Sequence, residues 1–174
     1  MAVYVFSDPH FDSEKIIANG NRPFRSVADM NAALIHNYNT VVLKQDICYW
    51  LGDVMYGATQ EKIRHILNQM HGRKYLILGN HDRNHSVSWW LAAGFDRVFA
   101  NPVYLAEYYI MLSHEPLAEF GSAKPIVNYH GHIHIQDYDF PNHDACINVC
   151  VEKTDYKPVP LLNPFLVEQR HFSR

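Results

Sequence analysis

Seven side chains in this 174-residue sequence are of the kinds that hold first-row metal cations, and they come in short clusters: Asp8 with His10, Asp53, Asn80, His114, and His132 with His134. All would donate through nitrogen or oxygen. No cysteine lies among them, which argues against a closed thiolate zinc site and suits Mn, Fe, Co, Ni or Zn. One divalent ion takes roughly four to six ligands, water included. Seven are too many for one ion and enough for two, provided one carboxylate is shared. Two cations about 3.5–4 Å apart form a clamp for in-line displacement at phosphorus. In the stretch "IVNYHGHIHIQD" (126–137) the histidines stand two apart. Side chains at that spacing in an extended segment point the same way, so His132 and His134 can reach one site, with His130 able to join them. A lone histidine at a strand end is ordinarily just a solvated side chain, so the weight falls on what surrounds these clusters.

The clusters follow apolar runs. "AVYVF" (2–6), "ICYWL" (47–51) and "YLIL" (75–78) are continuous apolar segments that suit strands buried on both faces. Between them lie helical patterns. Met30, Leu34, Tyr38 and Val41 recur at helical spacing behind a capping box of Ser26 and Asp29. Ile63, Ile66, Leu67 and Met70 form a second stripe, with Thr59 as N-cap and Gly72 as the expected stop. A shorter helix, "SVSWWLAA", runs from Ser86 to a stop at Gly94, with Trp89 and Trp90 read as packing residues. A strand-rich half follows, at about 97–105, 108–113, 126–130 and 146–152, and the proline-rich "KPVPLLNPF" closes it irregularly. This order predicts an α/β domain with a β-rich second half. Five runs lead directly into Asp8 and His10, Asp53, Asn80-His81-Asp82, His114, and His132 with His134. In open α/β sheets ligands bind beyond the carboxyl ends of the strands, so these five clusters converge at one rim.

The rest of the composition is ordinary. At 48% apolar and 19% charged residues the chain reads as one globular domain spanning 1–174. A net charge of −3 provides no broad field for duplex DNA or acidic membranes. The start lacks a basic secretory n-region, and no run approaches the roughly 18 apolar residues of a membrane span. The three cysteines, Cys48, Cys146 and Cys150, sit in apolar runs and read as reduced, buried thiols in a cytoplasmic protein. The alternative of a metal site at Cys146 and Cys150 has only their spacing behind it. Among the remaining histidines, His36, His65, His71, His85, His143 and His171 show no ligand pattern.

"DPH", "GD" at 52–53, "GNHD" at 79–82, "SHEP" around His114 and "GHIH" at 131–134 stand in the order found in the calcineurin-like metallophosphoesterases, which this sequence resembles from residue 8 to 134. "NRPF" at 21–24 and the small size resemble the compact phage and bacterial members without a cap domain. The resemblance implies a four-layer α/β/β/α sandwich with a strand-end dinuclear metal site. It implies that Asp8, His10 and His134 hold one ion, that Asn80, His114 and His132 hold the other, and that Asp53 bridges them. Manganese is the first expectation, with Fe, Ni, Zn or Co open.

It further implies phosphate-ester hydrolysis by in-line attack of a bridging hydroxide, with His81 as the catalytic residue at the leaving oxygen. A phosphodiester (nucleotide or cyclic nucleotide) is expected over a monoester, because the small size leaves the rim open. The glycine at 131 would let the backbone turn closely past the site. Asp82 and His130 are expected behind the ligands. Arg22, Arg25 and Arg83, close in sequence to these motifs, are candidates to grip a substrate phosphate. One departure is visible: where phosphoprotein phosphatases carry GDxxD, this chain reads "GDVMY", with Tyr56 in place of the aspartate that orients the histidine. Two other readings stay open. One is a phosphomonoesterase, and the other is a non-catalytic scaffold of the same fold that binds a partner protein, against which the full ligand set and His81 stand. Oligomeric state is not legible, although the aromatic segment 103–112 offers a surface for a dimer.

Overall fold

A computed structural model describes residues 1–117, 126–136 and 145–164. Strands β1 (Val3–Phe6), β2 (Ile47–Trp50), β3 (Arg73–Ile77) and β4 (Arg97–Phe99) form a parallel sheet in the order β4-β3-β2-β1. The last strand of the chain, β9 (Val159–Pro160), lies antiparallel beside β1. A second sheet contains β5 (Val103–Leu105), β6 (Ile110–Leu112), β7 (Val127–His130) and β8 (Cys146–Asn148), with β5 antiparallel to β6 and the other neighbours parallel.

Period-two alternation divides the first sheet between two cores. Phe6, Cys48, Trp50 and Leu76 join the helices α2 (Val27–Val41), α3 (Gln60–Leu67) and α4 (Val87–Ala93) through Met30, Leu34, Tyr38, Ile63, Leu67 and Trp90. Val5, Leu51 and Ile77 face the other way and meet Ile110, Leu112, Val127 and Tyr129 of the second sheet. Continuous apolar runs are required because both faces are covered. The result is an α/β sandwich of two mixed sheets with helices outside. The described helices, including the short α1 (Glu14–Asn19) that periodicity did not reveal, pack on the first core.

Capping follows the sequence closely. Ser26, Thr59 and Ser86 each accept a hydrogen bond from the backbone N–H three residues on, and Gly94 ends α4 at φ 121°. Two expectations need correction. Helix α3 ends at Leu67, and Gly72 (φ 73°) turns the chain into β3 instead. The expected strand at 97–105 is two strands in different sheets, because Pro102 has no N–H to continue a ladder and the chain crosses between sheets there. Among the described residues, no helix is long and apolar enough to cross a membrane.

Candidate metal centre and active site

The carboxyl ends of β1, β2 and β3 open onto the same rim as those of β6, β7 and β8. The two sheets are joined there by hydrogen bonds. Val151 N–H donates to the Ser7 carbonyl (3.1 Å), and His132 N–H donates to Asp8 Oδ2 (2.9 Å). Gly131 explains how they come so close: a Cβ there would collide with Ser7 Oγ and Asp8 Oδ2. Gly79 is similarly confined, since a Cβ would strike the Asp53 carboxylate and backbone.

Five of the seven expected ligands hold left-handed backbone: Asp8 (φ 55°), His10 (49°), Asp53 (53°), His132 (70°) and His134 (50°). Each such non-glycine residue costs on the order of 1–3 kcal/mol and persists only where surroundings over-determine it. Here the turns hold one another. Asp8 and His10 N–H groups donate to the Gly52 and Asp53 carbonyls (3.1 Å each). The buried Asp82 carboxylate accepts from the N–H groups of Asp53 (2.7 Å), Val54 (3.0 Å) and Gly79 (2.9 Å), clamping two ligand turns together. Burial pushes the Asp82 carboxyl up to about 6 against the pull of these donors.

All seven side chains converge in two clusters that share Asp53. On one side His10 Nε2 lies 3.8 Å from Asp8 Oδ1 and 3.6 Å from Asp53 Oδ2, and His134 Nε2 lies 3.9 Å from Asp8 Oδ1. On the other, Asn80 Oδ1 is 2.8 Å from His114 Nε2 and 3.1 Å from His132 Nδ1, and His114 Nε2 is 3.5 Å from Asp53 Oδ1. The His114 ring is set by its other nitrogen, 2.7 Å from the Leu51 carbonyl, which leaves Nε2 with its lone pair.

The donors fit a cation. Asp8 Oδ1 and His10 Nε2 are fully buried with no hydrogen-bond partner. Separations of 3.6–3.9 Å are slightly wider than the roughly 3.4 Å edge of a tetrahedron with 2.1 Å metal–ligand bonds. Burial drives His10 down to about 3, opposed only in part by Asp8, so its imidazole is neutral and its lone pair free. Burial raises the Asp8 carboxyl, but the imidazoles of His114, His10 and His134 outweigh it and leave it below its ordinary value. Asp53 sits above its ordinary value, from burial and from the neighbouring Asp8 charge.

His81 stands beside His10 and the shared Asp53. Its N–H donates to Asp53 Oδ1 (3.0 Å), and its ring is 63% exposed with Nε2 3.8 Å from Asp53 Oδ2. Tyr56 is 67% exposed and shares with His81, His10 and His134 a cleft of about 420 Å³, walled also by Lys15, Ile16, Asn19, Met55, Asn84 and His85. His130 is buried beneath the site, with Nδ1 2.9 Å from the Gly131 carbonyl.

The arginines divide. Arg25 and Arg83 are exposed and absent from the cleft wall, and Arg83 borders a separate hollow beside His114. Arg22 does not face the rim: its side chain is fully buried in an ion pair with Glu152 (2.7 Å), so the expectation that it grips substrate is corrected. Glu152 also accepts from His134 Nδ1 (3.0 Å) and was missed from sequence. The signal existed, because the run "INVCV" ends in Glu152 just as the five other runs end in their clusters. The cysteines are free; Cys150, not paired with Cys146, lies 3.4 Å from Asp8 Oδ2. His143 and His171, and most of the loops at 115–125 and 136–144, lie outside the described residues.

The sequence profile of the calcineurin-like phosphoesterases matches residues 1–164. The chain belongs to that family. Its members are generally metal-dependent hydrolases of phosphate esters. An uncharacterized protein of Methanocaldococcus jannaschii is 37% identical over 164 residues, covering 91% of this chain and 86% of its own. The gene 66 protein of Mycobacterium phage L5 is 33% identical over 84 residues, 47% of this chain and 40% of its own. A protein of unknown function from Aquifex aeolicus has the same fold, with a TM-score of 0.70 and 25% identity across 97% of this chain and 98% of that one. Calcineurin-like phosphoesterases thus provide the frame in which the two clusters and His81 are to be understood.

Proposed function

We propose that this calcineurin-like phosphoesterase is a dinuclear phosphodiesterase acting on a nucleotide or cyclic-nucleotide diester, with manganese as its working metal. The carrying observation is that two clusters of nitrogen and oxygen donors share one carboxylate, Asp53, at the mouth of the cleft that holds His81. Asp8, His10 and His134 would hold one cation and Asn80, His114 and His132 the other. Bound there, the cations would lower the pKa of water towards neutrality and offset charge on the phosphate oxygens.

The chain's own residues do the rest. Asp53 orients the segment that bears His81 through the His81 backbone N–H, and His81 Nε2 would give a proton to the leaving oxygen, a role supported by its exposed ring beside Asp53. With Tyr56 where the orienting aspartate would be, the edge of the His10 ring (centroids 5.7 Å apart) borders the His81 imidazole. Charge supports the diester. A monoester carries about two negative charges near neutral pH, whereas Lys15 is the lone lysine or arginine among the described cleft residues and Arg22 is committed internally. Apolar walls at Ile16, Met55 and Ala58 suit the organic group on a diester. Free thiols suit a reducing cytoplasm.

The test is hydrolysis of bis(p-nitrophenyl) phosphate against p-nitrophenyl phosphate by metal-stripped protein with added Mn²⁺. Diester cleavage should depend on the metal and fall about 10²–10⁴-fold in His81→Ala. Monoester preference would redirect the substrate search. No turnover with Mn²⁺, Ni²⁺, Fe²⁺ or Zn²⁺ would sink the catalytic reading in favour of a scaffold.

A further inference from the structure

Arg22 and Glu152 lie 130 residues apart and meet beneath the His10 side of the centre. Arg22 Nη2 and Nε both donate to Glu152 Oε1 (2.7 and 2.9 Å). The same guanidinium donates through Nη2 to the Asp8 carbonyl and through Nη1 to the Pro9 carbonyl, both at 2.7 Å. Glu152 Oε1 in turn takes the His134 Nδ1 hydrogen (3.0 Å). With side chains 0% and 3% exposed, the pair is buried, and neither residue lines the cleft.

The geometry points to Arg22 and Glu152 as a buried positioning pair that holds the Asp8–His10 turn of one sheet and the His134 ring of the other in metal-binding register. Arg22 secures two carbonyls of a turn whose flanking residues, Asp8 and His10, both sit in left-handed backbone. Glu152 fixes the His134 tautomer: a proton on Nδ1 leaves Nε2, the nitrogen that faces Asp8 Oδ1, with its lone pair. Such outer partners typically contribute about 10–100-fold in metal affinity. Stability alone does not account for the pair, because a buried ion pair is often replaceable by apolar residues at no cost, while removing one partner is strongly destabilising. The proposal rests on the metal-centre reading above.

That asymmetry shapes the experiment. The double variant Arg22→Met/Glu152→Leu removes both charges together, and Glu152→Gln keeps an acceptor for His134 without the charge. Mn²⁺ binding to stripped protein would be followed by calorimetry, and the His134 ring of the metal-free protein by ¹⁵N NMR. In the double variant one of two Mn²⁺ sites should weaken about 10–100-fold, the other should hold, and His134 should lose its Nδ1–H tautomer. Glu152→Gln should retain that tautomer and most of the affinity. Should the double variant not fold, Arg22→Lys is compared with wild type, since an ammonium cannot span both carbonyls and the carboxylate. It should lose affinity at one site only. Unchanged Mn²⁺ affinity in the folded double variant or in Arg22→Lys, or an unchanged tautomer in the double variant, overturns the proposal while leaving the metal-centre reading intact. Wild-type protein that binds no cation overturns both.

Discussion

The two halves of the centre are built differently. On the His10 side the donors keep apart, at 3.6–3.9 Å, and are held from behind by side chains brought from residues 22 and 152. On the His114 side the donors lie against each other at 2.8–3.1 Å, and the His114 ring is held from outside by a backbone carbonyl. Asn80 is exposed, whereas Asp8 is wholly buried. One half is therefore preorganised, whereas in the other His132 Nδ1–H is the donor that faces Asn80 Oδ1 and His114 Nε2, a contact that a cation must displace. Preorganisation lowers the cost of binding, so the His10 side should be the tighter site.

The largest blow to this contrast is Asp53→Asn, which weakens the carboxylate common to both halves. Diester hydrolysis should drop by at least about 10³-fold, and the two Mn²⁺ binding events should no longer both be seen by calorimetry. Retention of two tight sites would mean that Asp53 is not shared.

Metal removal comes next. A ligand at 100 times its Kd adds about 2.7 kcal/mol, and about 2–4 °C accompanies each kcal/mol in a chain of this size. Mn²⁺ at that excess should raise the melting temperature of stripped protein by roughly 5–11 °C per occupied site. His10→Ala should abolish the tighter step, and Asn80→Ala should mainly weaken the looser one. The reverse order would break the comparison.

Gly131→Ala tests the seam between the halves. Its Cβ has no room beside Ser7 and Asp8. It should cost about 1–3 kcal/mol in urea denaturation, typical of overpacking, and should loosen both sites together, since His132 N–H would lose Asp8.

The smallest effect concerns thiols. Burial pushes Cys48 and Cys150 far up and Cys146 up to about 11. Alkylation by iodoacetamide at pH 8 should be negligible at the first two and slow at Cys146, with roughly one thiol in a thousand ionised. Fast labelling of Cys150 would show that the wall behind Asp8 opens.

Much of this was legible because side-chain period and strand-end position are local properties. The buried strands and the Ser26, Thr59 and Ser86 caps follow from residues near one another in sequence, and the convergence of seven donors from each cluster's place at a strand end. Arg22 was not legible: its role depends on Glu152, and no local pattern distinguishes an arginine that faces substrate from one that faces a partner 130 residues away. The 97–105 segment was misread because apolar residues resume just past Pro102 while the chain changes sheets. Helix α1 has six residues, too few for a periodic stripe to show.

The pairing of β9 with β1 orders events in time. Strand β1 carries Asp8 at its end, yet it acquires its second neighbour only when Val159 and Pro160 arrive, with Leu161 N–H closing on the Val3 carbonyl. At 5–20 residues per second, roughly 8–30 s separate synthesis of the first ligand from that of its covering strand. Contacts so distant in sequence also form late in folding. All seven candidate ligands are therefore synthesised before the strand that completes the sheet beside the first of them.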